Sequence, residues 1–165
     1  PRLKIRDLEI EDAQFMLELL NSKGFIEHIG DRGVREVSQA EDLIKTRYRS
    51  LYPTHGLFVV ERATDNVSVG TVSLLKRDNL PFDDIGYAFL PQFFRQGYAT
   101  EAVSAVISDQ ISKGADALHG VVDFDNIISQ DLLIKLGFDE DGTVLMEGEE
   151  EPIKRFTRYF KPAHD

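Results

Sequence analysis

The stretch FFRQGYATEA, Phe93 to Ala102, stands where one pattern gives way to another. DIGYAFL (84–90) reads as a strand, and from Ala99 to about Lys113 the spacing is helical until Gly114 stops it. A helix start leaves amides unpaired and carries a partial positive charge, so it is a seat for an anion. Gly97 and Ala99 flank Tyr98 and let a ligand come close to the backbone. The N–H groups from about Gln96 to Thr100 would face outward, and Arg95 adds a charged donor. The same residues also suit a plain tight turn. No Gly-Lys-Ser/Thr follows, as a P-loop requires, and a dinucleotide fingerprint lacks its third glycine and distal acid.

Working outward, residues 2–8 (RLKIRDL) alternate like a strand. Ala13, Met16, Leu17 and Leu20 give Ile10 to Leu20 helical spacing behind an acidic first turn. Gly24, Gly30 and Gly33 punctuate residues 21–33, which read as loop with room for one helical turn. Ser38 with Glu41 makes a capping box, opening a helix that runs to about Tyr52, where PTHG ends it. LFVVER (57–62) and SVGTVSLLK (68–76) form a hairpin through ATDN. Downstream come a strand at 117–123, a helix from Asn126 to Leu136 with Gly137 past its end, and strands at 138–148 and 152–160. The order β-α-α-β-β-β-α-β-α-β-β predicts an α+β fold, a three-layer α/β/α arrangement with a mixed, mostly antiparallel sheet flanked by helices. Its 165 residues suit one domain, spanning 1–165.

Composition narrows the function classes. Hydrophobic residues are 42% and charged residues 29%, as in a folded globular chain. No apolar run approaches the roughly 20 residues of a membrane helix, and PRLKIRDLEIED is no signal peptide. The chain starts at Pro1 without a Met, which leaves room for residues upstream. With no cysteine there is no disulfide, no thiolate metal site and no cysteine nucleophile, and the expected location is cytoplasmic. A net charge of −10 argues against a nucleic-acid partner. It suits a cationic partner drawn in by the field, or simply solubility.

A second stretch, DFDNIISQDLLIKLGFDEDG (123–142), follows a strand. Asn126 is an N-cap by position, and Asn126, Ser129 and Leu133 can share one helix face. Lys135, Gly137 and Phe138 close the helix and lead into a strand. Together the two stretches resemble the GNAT superfamily of acyl-CoA-dependent N-acetyltransferases, and most its RimJ/RimL-type branch, over nearly the whole chain. That family's loop, Arg/Gln-x-x-Gly-x-Gly/Ala, falls on Phe94 to Ala99, and GYATEA (97–102) is typical of the branch. The later signature, Asn-x-x-Ser then Lys-x-Gly-Phe, falls on Asn126, Ser129, Lys135, Gly137 and Phe138. Phe94 departs from the pattern, standing where the family has a basic or amide side chain.

The resemblance implies a twisted sheet whose central strands splay, and transfer of the acetyl group of acetyl-CoA, a cosubstrate, to an amine with no metal. It implies cofactor contacts at Phe89, Leu90, Arg95, Gln96, Gly97, Tyr98, Ala99, Thr100, Asn126, Ser129 and Lys135. The pantetheine arm would pair along Ile85 to Phe89, beside Gly86. Ser129 would meet the sulfur. Asp84 is the candidate base, or a plain loop carboxylate, and Glu101 complements the helix dipole. The acceptor region would include Gly30, Arg32 and Tyr87, with Arg32 and Arg35 either reading a carboxylate or lying as surface charge. His28, His55 and His119 are too scattered for a metal, and His119 is expected to be packed within its strand. Expected acceptors are a basic protein N-terminus or a small-molecule amine, with no membrane partner and the protein a monomer or homodimer. A catalytically silent acyl-CoA-binding module shares the same motifs.

Overall fold

The computed structural model describes residues Arg2 to Lys161. Among the described residues seven strands and five α-helices keep the expected order, with one helix more than the period changes predict, in the segment read as loop at 21–33. Strands β1 (Leu3–Asp7), β2 (Gly56–Arg62), β3 (Ser68–Leu75) and β4 (Asp84–Phe89) neighbour one another in that order. Then come β5 (Ala117–Val122), β7 (Ile153–Tyr159) and β6 (Asp139–Val144). The β1–β2, β5–β7 and β6–β7 pairs are antiparallel and β4–β5 is parallel, so the sheet is mixed and mostly antiparallel. The chain divides into two compact units, with boundaries inside β3, β4 and the long helix α4 (Tyr98–Ser112).

The first unit holds residues up to Ser73 and Tyr87–Val103. Its core gathers Leu8, Met16, Leu19 and Leu20 with Phe25, Val34, Ile44, Val59 and Leu90. Helix α1 (Ala13–Leu20) buries Ala13, Met16 and Leu20 of the stripe read from the sequence, with Leu19 fully buried in place of the expected Leu17, which is only partly covered. The loop expected at 21–33 contains a true helix, α2 (Lys23–His28), held by burial of Phe25 despite Gly24. The next helix, α3 (Val37–Leu43), starts earlier than the Ser38 box predicts. Glu36 is its N-cap, in a reciprocal box with Gln39. It continues as a π-helical turn, Ile44–Tyr48, and a short 3-10 turn, Arg49–Leu51. Arg6 ties β1 to the first helical turn, bonding both Asp12 oxygens at 2.8 Å and Glu61 at 2.9 Å.

The second unit holds Leu74–Gly86 and the residues from Ser104 onward. Helix α5 (Ile127–Lys135) lays Leu133 over Gly120 of β5, so close that a Cβ on Gly120 would lie 2.9 Å from a Leu133 methyl. Leu133 is therefore core, and the expected polar face of α5 reduces to Asn126 and Ser129. Register between β4 and β5 is set at Asp84↔His119, with the His119 amide donating to the Asp83 carbonyl at 2.9 Å. No helix among the described residues is long and apolar enough to cross a membrane.

Candidate active site

In the first unit β4 ends on Phe89, a 3-10 turn covers Pro91–Phe93, and α4 begins at Tyr98. Between them Arg95 (φ 63°) and Gly97 (φ 78°) both adopt the left-handed conformation. For Gly97 this costs nothing. For Arg95 it is strain of about 1–2 kcal/mol. The first bond of α4 runs from the Glu101 amide to the Gly97 carbonyl at 3.1 Å, so the amides of Tyr98, Ala99 and Thr100 have no acceptor within the helix. Phe94 to Gly97 are all exposed. The loop is open, and the amides of a 15-residue helix stand behind it.

One contributor was not visible in the sequence. Arg2 donates from Nε to Glu101 at 2.9 Å and from a terminal nitrogen to the Gln96 carbonyl at 2.8 Å, and its guanidinium lies 4.8 Å from the Tyr98 ring centroid. It braces the loop from β1's leading end. A Cβ on Gly97 would meet its guanidinium at 3.3 Å. Only sequence distance hid it, since nothing local links residue 2 to residue 96. Tyr98 itself is buried, close enough to Arg62 to help hold its guanidinium charged. Glu101 is occupied by Arg2, in line with a structural role.

Phe89 and Leu90 turn their side chains into the core, and the Leu90 amide is spent on the Val69 carbonyl at 3.0 Å. That limits Leu90 to a carbonyl contact with any ligand. Tyr87 is half-buried on β4. In the loop between α2 and α3, Gly30 has φ 136°, and a Cβ there would lie 3.1 Å from a terminal nitrogen of Arg32. Arg32 stacks on Phe25 with its centre 5.7 Å from the ring, and its Nε is buried without a partner among the described residues. Arg35 is different. It is latched to Asp31 at 2.6 Å and Asn21 at 2.8 Å, so it serves the loop's shape, and Arg35 with the Gly33 amide holds the Asp31 carboxyl below its ordinary range.

In the second unit Asn126 caps α5, its side-chain oxygen accepting from the Ser129 amide at 3.3 Å. The preceding loop is strapped by Gln130, whose amide donates to the Asp123 and Phe124 carbonyls at 2.9 Å each. Ser129 is half-buried and Lys135 exposed in the last turn.

Asp84 is no loop carboxylate. It opens β4 at 3% exposure and accepts from Arg77 Nε at 2.9 Å, while its second oxygen finds no partner among the described residues. Burial pushes its carboxyl above the ordinary value, against the pull of Arg77 and with help from Asp83. His119, packed in β5 as expected, bonds Thr157 through Nδ1 at 2.8 Å. Among the described residues no group of three or more His, Asp or Glu side chains is placed to hold a metal ion.

A family model matches most of the chain, and solved structures share its fold. Residues 2–139 match the model of the acetyltransferase (GNAT) domain. The uncharacterized N-acetyltransferase YoaA of Bacillus subtilis (strain 168) is 28% identical over 149 residues, 87% of this chain and 82% of its own. The fold resembles RimL, a ribosomal alpha-N-protein acetyltransferase solved with coenzyme A, at TM-score 0.82 and 14% identity, over 96% of this chain and 94% of that one. It also resembles a spermidine N-acetyltransferase from Vibrio cholerae in complex with CoA and spermine, at TM-score 0.78 and 19% identity, covering 96% and 95%.

Proposed function

This chain belongs to the GNAT family of acetyltransferases, and we propose that it moves the acetyl group of acetyl-CoA onto a primary amine, either a protein N-terminus or a small-molecule amine. The observation that carries this is the start of α4. Two left-handed residues, Arg95 and Gly97, bend an exposed loop against three amides without helical acceptors. That arrangement fits a diphosphate, with Arg95 supplying a charged donor and Gln96 to Thr100 supplying main-chain contacts.

Acetyl-CoA supplies the thioester carbonyl that an uncharged amine attacks, and its thiolate leaves. In this reading main-chain N–H groups of β4 between Tyr87 and Phe89 stabilise the charge that develops on the carbonyl oxygen. Removing such a donor in other enzymes costs on the order of 3 kcal/mol. Asp84 takes the proton that the nitrogen releases, and the Ser129 hydroxyl donates a hydrogen bond to the sulfur, which departs as the thiolate. An α-amine, with a pKa near 7.7–8.0, needs less help than a lysine near 10.4. Asn126 and Lys135 contact the cofactor; Gly30, Arg32 and Tyr87 contact the acceptor. The −10 charge favours a cationic amine, and a cytoplasmic setting suits the cysteine-free chain.

The test pairs calorimetry with thiol release over a panel of amines. Acetyl-CoA should bind the wild type and not Gly97→Glu, whose carboxylate would stand in the phosphate seat. Equal heats from the two proteins would remove the loop from cofactor binding, and with it the reading.

A further inference from the structure

Arg2 is fixed at several points on the loop that leads into α4. Its main-chain amide and its Nε donate to the two Glu101 carboxylate oxygens at 3.2 and 2.9 Å. One terminal nitrogen donates to the Gln96 carbonyl at 2.8 Å. The other stands beside Gly97, 3.3 Å from where a Cβ would lie. The guanidinium also lies over the Tyr98 ring. A planar fork bonded on two of its nitrogens has one orientation, so the Gln96 carbonyl is held in place.

That carbonyl decides which way the next amide points. In a trans peptide such as Gln96–Gly97 the C=O and the following N–H point in opposite directions. Arg2 keeps the carbonyl on its own side, so the Gly97 N–H is turned to the other. Among the described residues that amide meets no acceptor. Arg95 and Gly97 have positive φ and Gln96 between them does not, an alternation that turns successive amides toward one concave side. Glycine alone would not keep this arrangement, because without a Cβ it tolerates either orientation of the peptide before it. A flipped peptide would set a carbonyl oxygen where the N–H stands and repel an anion. Glu101 poses a second difficulty, since an unpaired carboxylate in the first turn of α4 competes with a ligand for the same end of the dipole. Arg2 neutralises it.

We propose that Arg2 is a positioning residue for the cosubstrate: it locks the Gln96–Gly97 peptide with the N–H toward the diphosphate of acetyl-CoA and cancels the Glu101 charge beside it. The identity of the anion rests on the acetyltransferase reading above. Arg2 acts through the loop, by fixing a main-chain donor, and not on the chemistry at the thioester.

The test measures acetyl-CoA binding by calorimetry and follows the loop amides by 15N–1H NMR. In the wild type the Gly97 amide proton should move downfield on addition of acetyl-CoA. In Arg2→Ala the affinity should drop about tenfold, the scale of one hydrogen bond to a charged group. At saturating acetyl-CoA the Gly97 response should shrink in that variant, while Ala99 and Thr100, which the helix holds, keep theirs. Loss of all these responses together would mark Arg2 as a prop of the fold and overturn the inference. Arg2→Ala/Glu101→Gln separates the peptide lock from the bared carboxylate. It should recover part of the affinity and none of the Gly97 response, and full recovery of both overturns the lock. Arg2→Lys, which keeps a charge beside Glu101 but lacks the fork that also reaches Gln96, should behave like the double variant. Wild-type affinity in Arg2→Ala, or an unmoved Gly97 amide in the bound wild type, overturns the inference and leaves the transferase reading standing. No binding of acetyl-CoA by the wild type overturns the transferase reading and the inference with it.

Discussion

Replacing Arg95 by glycine should make the protein more stable and a poorer ligand binder at once. Arg95 holds φ 63° next to Gly97, and among the described residues it makes no ion pair that would justify the conformation. A side chain in the left-handed region costs about 1–2 kcal/mol. Glycine removes that strain but gives back roughly 0.5–1 kcal/mol through the freedom of the unfolded chain. The net gain is about 0.5–1 kcal/mol, or roughly 2–4 °C per kcal/mol in Tm for a domain of this size. Binding should move the other way. A charged donor to a diphosphate is worth roughly 1.5–3 kcal/mol, less at an exposed position, so acetyl-CoA affinity should drop about tenfold. Arg95→Asn is the control, because asparagine tolerates the left-handed conformation without glycine's unfolded-state freedom. Urea denaturation and calorimetry with acetyl-CoA read both numbers. A variant that loses stability while its Kd stays at the wild-type value would show that Arg95 serves the fold, and that its backbone conformation is no mark of a binding loop.

Other perturbations follow from single contacts. Gly70→Ala should destabilise by about 1–3 kcal/mol, because its Cβ would overlap the Phe89 ring and the Ala88 carbonyl; a denaturation midpoint equal to wild type would mean that β4 has shifted. Leu133→Ala should cost about 3 kcal/mol by opening a cavity over Gly120, measured the same way. Asp12 is a pH prediction. Burial raises its carboxyl, but Arg6 and the Glu9 amide outweigh this and leave it below its unfolded value. Its contribution is therefore complete above the unfolded pKa near 3.9 and disappears as pH falls through the lower folded value. Asp12→Asn should flatten the stability–pH curve below about pH 4, and an unflattened curve would assign acid loss elsewhere. Ser129→Ala should lower kcat with little change in acetyl-CoA affinity, and full turnover would take the hydroxyl out of the chemistry.

The sequence disclosed what is written in short range. Period two gave the strands, the Ala13, Met16, Leu20 spacing gave α1, and the glycine before Tyr98 marked the start of α4. Local chemistry failed where two local signals competed. Ser38 with Glu41 and Glu36 with Gln39 are both capping boxes two residues apart, and the backbone uses the second. Helix α2 was hidden by Gly24, a residue that disfavours helix alone but is carried by the burial of Phe25. The features that most shape the chemistry are long-range. Arg2 reaches Gln96 and Glu101 across more than ninety residues, and Asp84 stands opposite His119 only because a parallel ladder sets their strands in register. Read alone, Asp84 is a carboxylate beside a loop and His119 a histidine in an apolar run. Their meaning lies in the fact that each is buried with one valence open, a property of pairing and burial that no window of sequence contains. The parts of this site carried by main chain, the glycine and the helix start, could therefore be read early. The parts carried by burial could not, because which polar atoms are enclosed and which are bonded depends on contacts made far along the chain, Arg77 with Asp84 and Thr157 with His119 and Asp141.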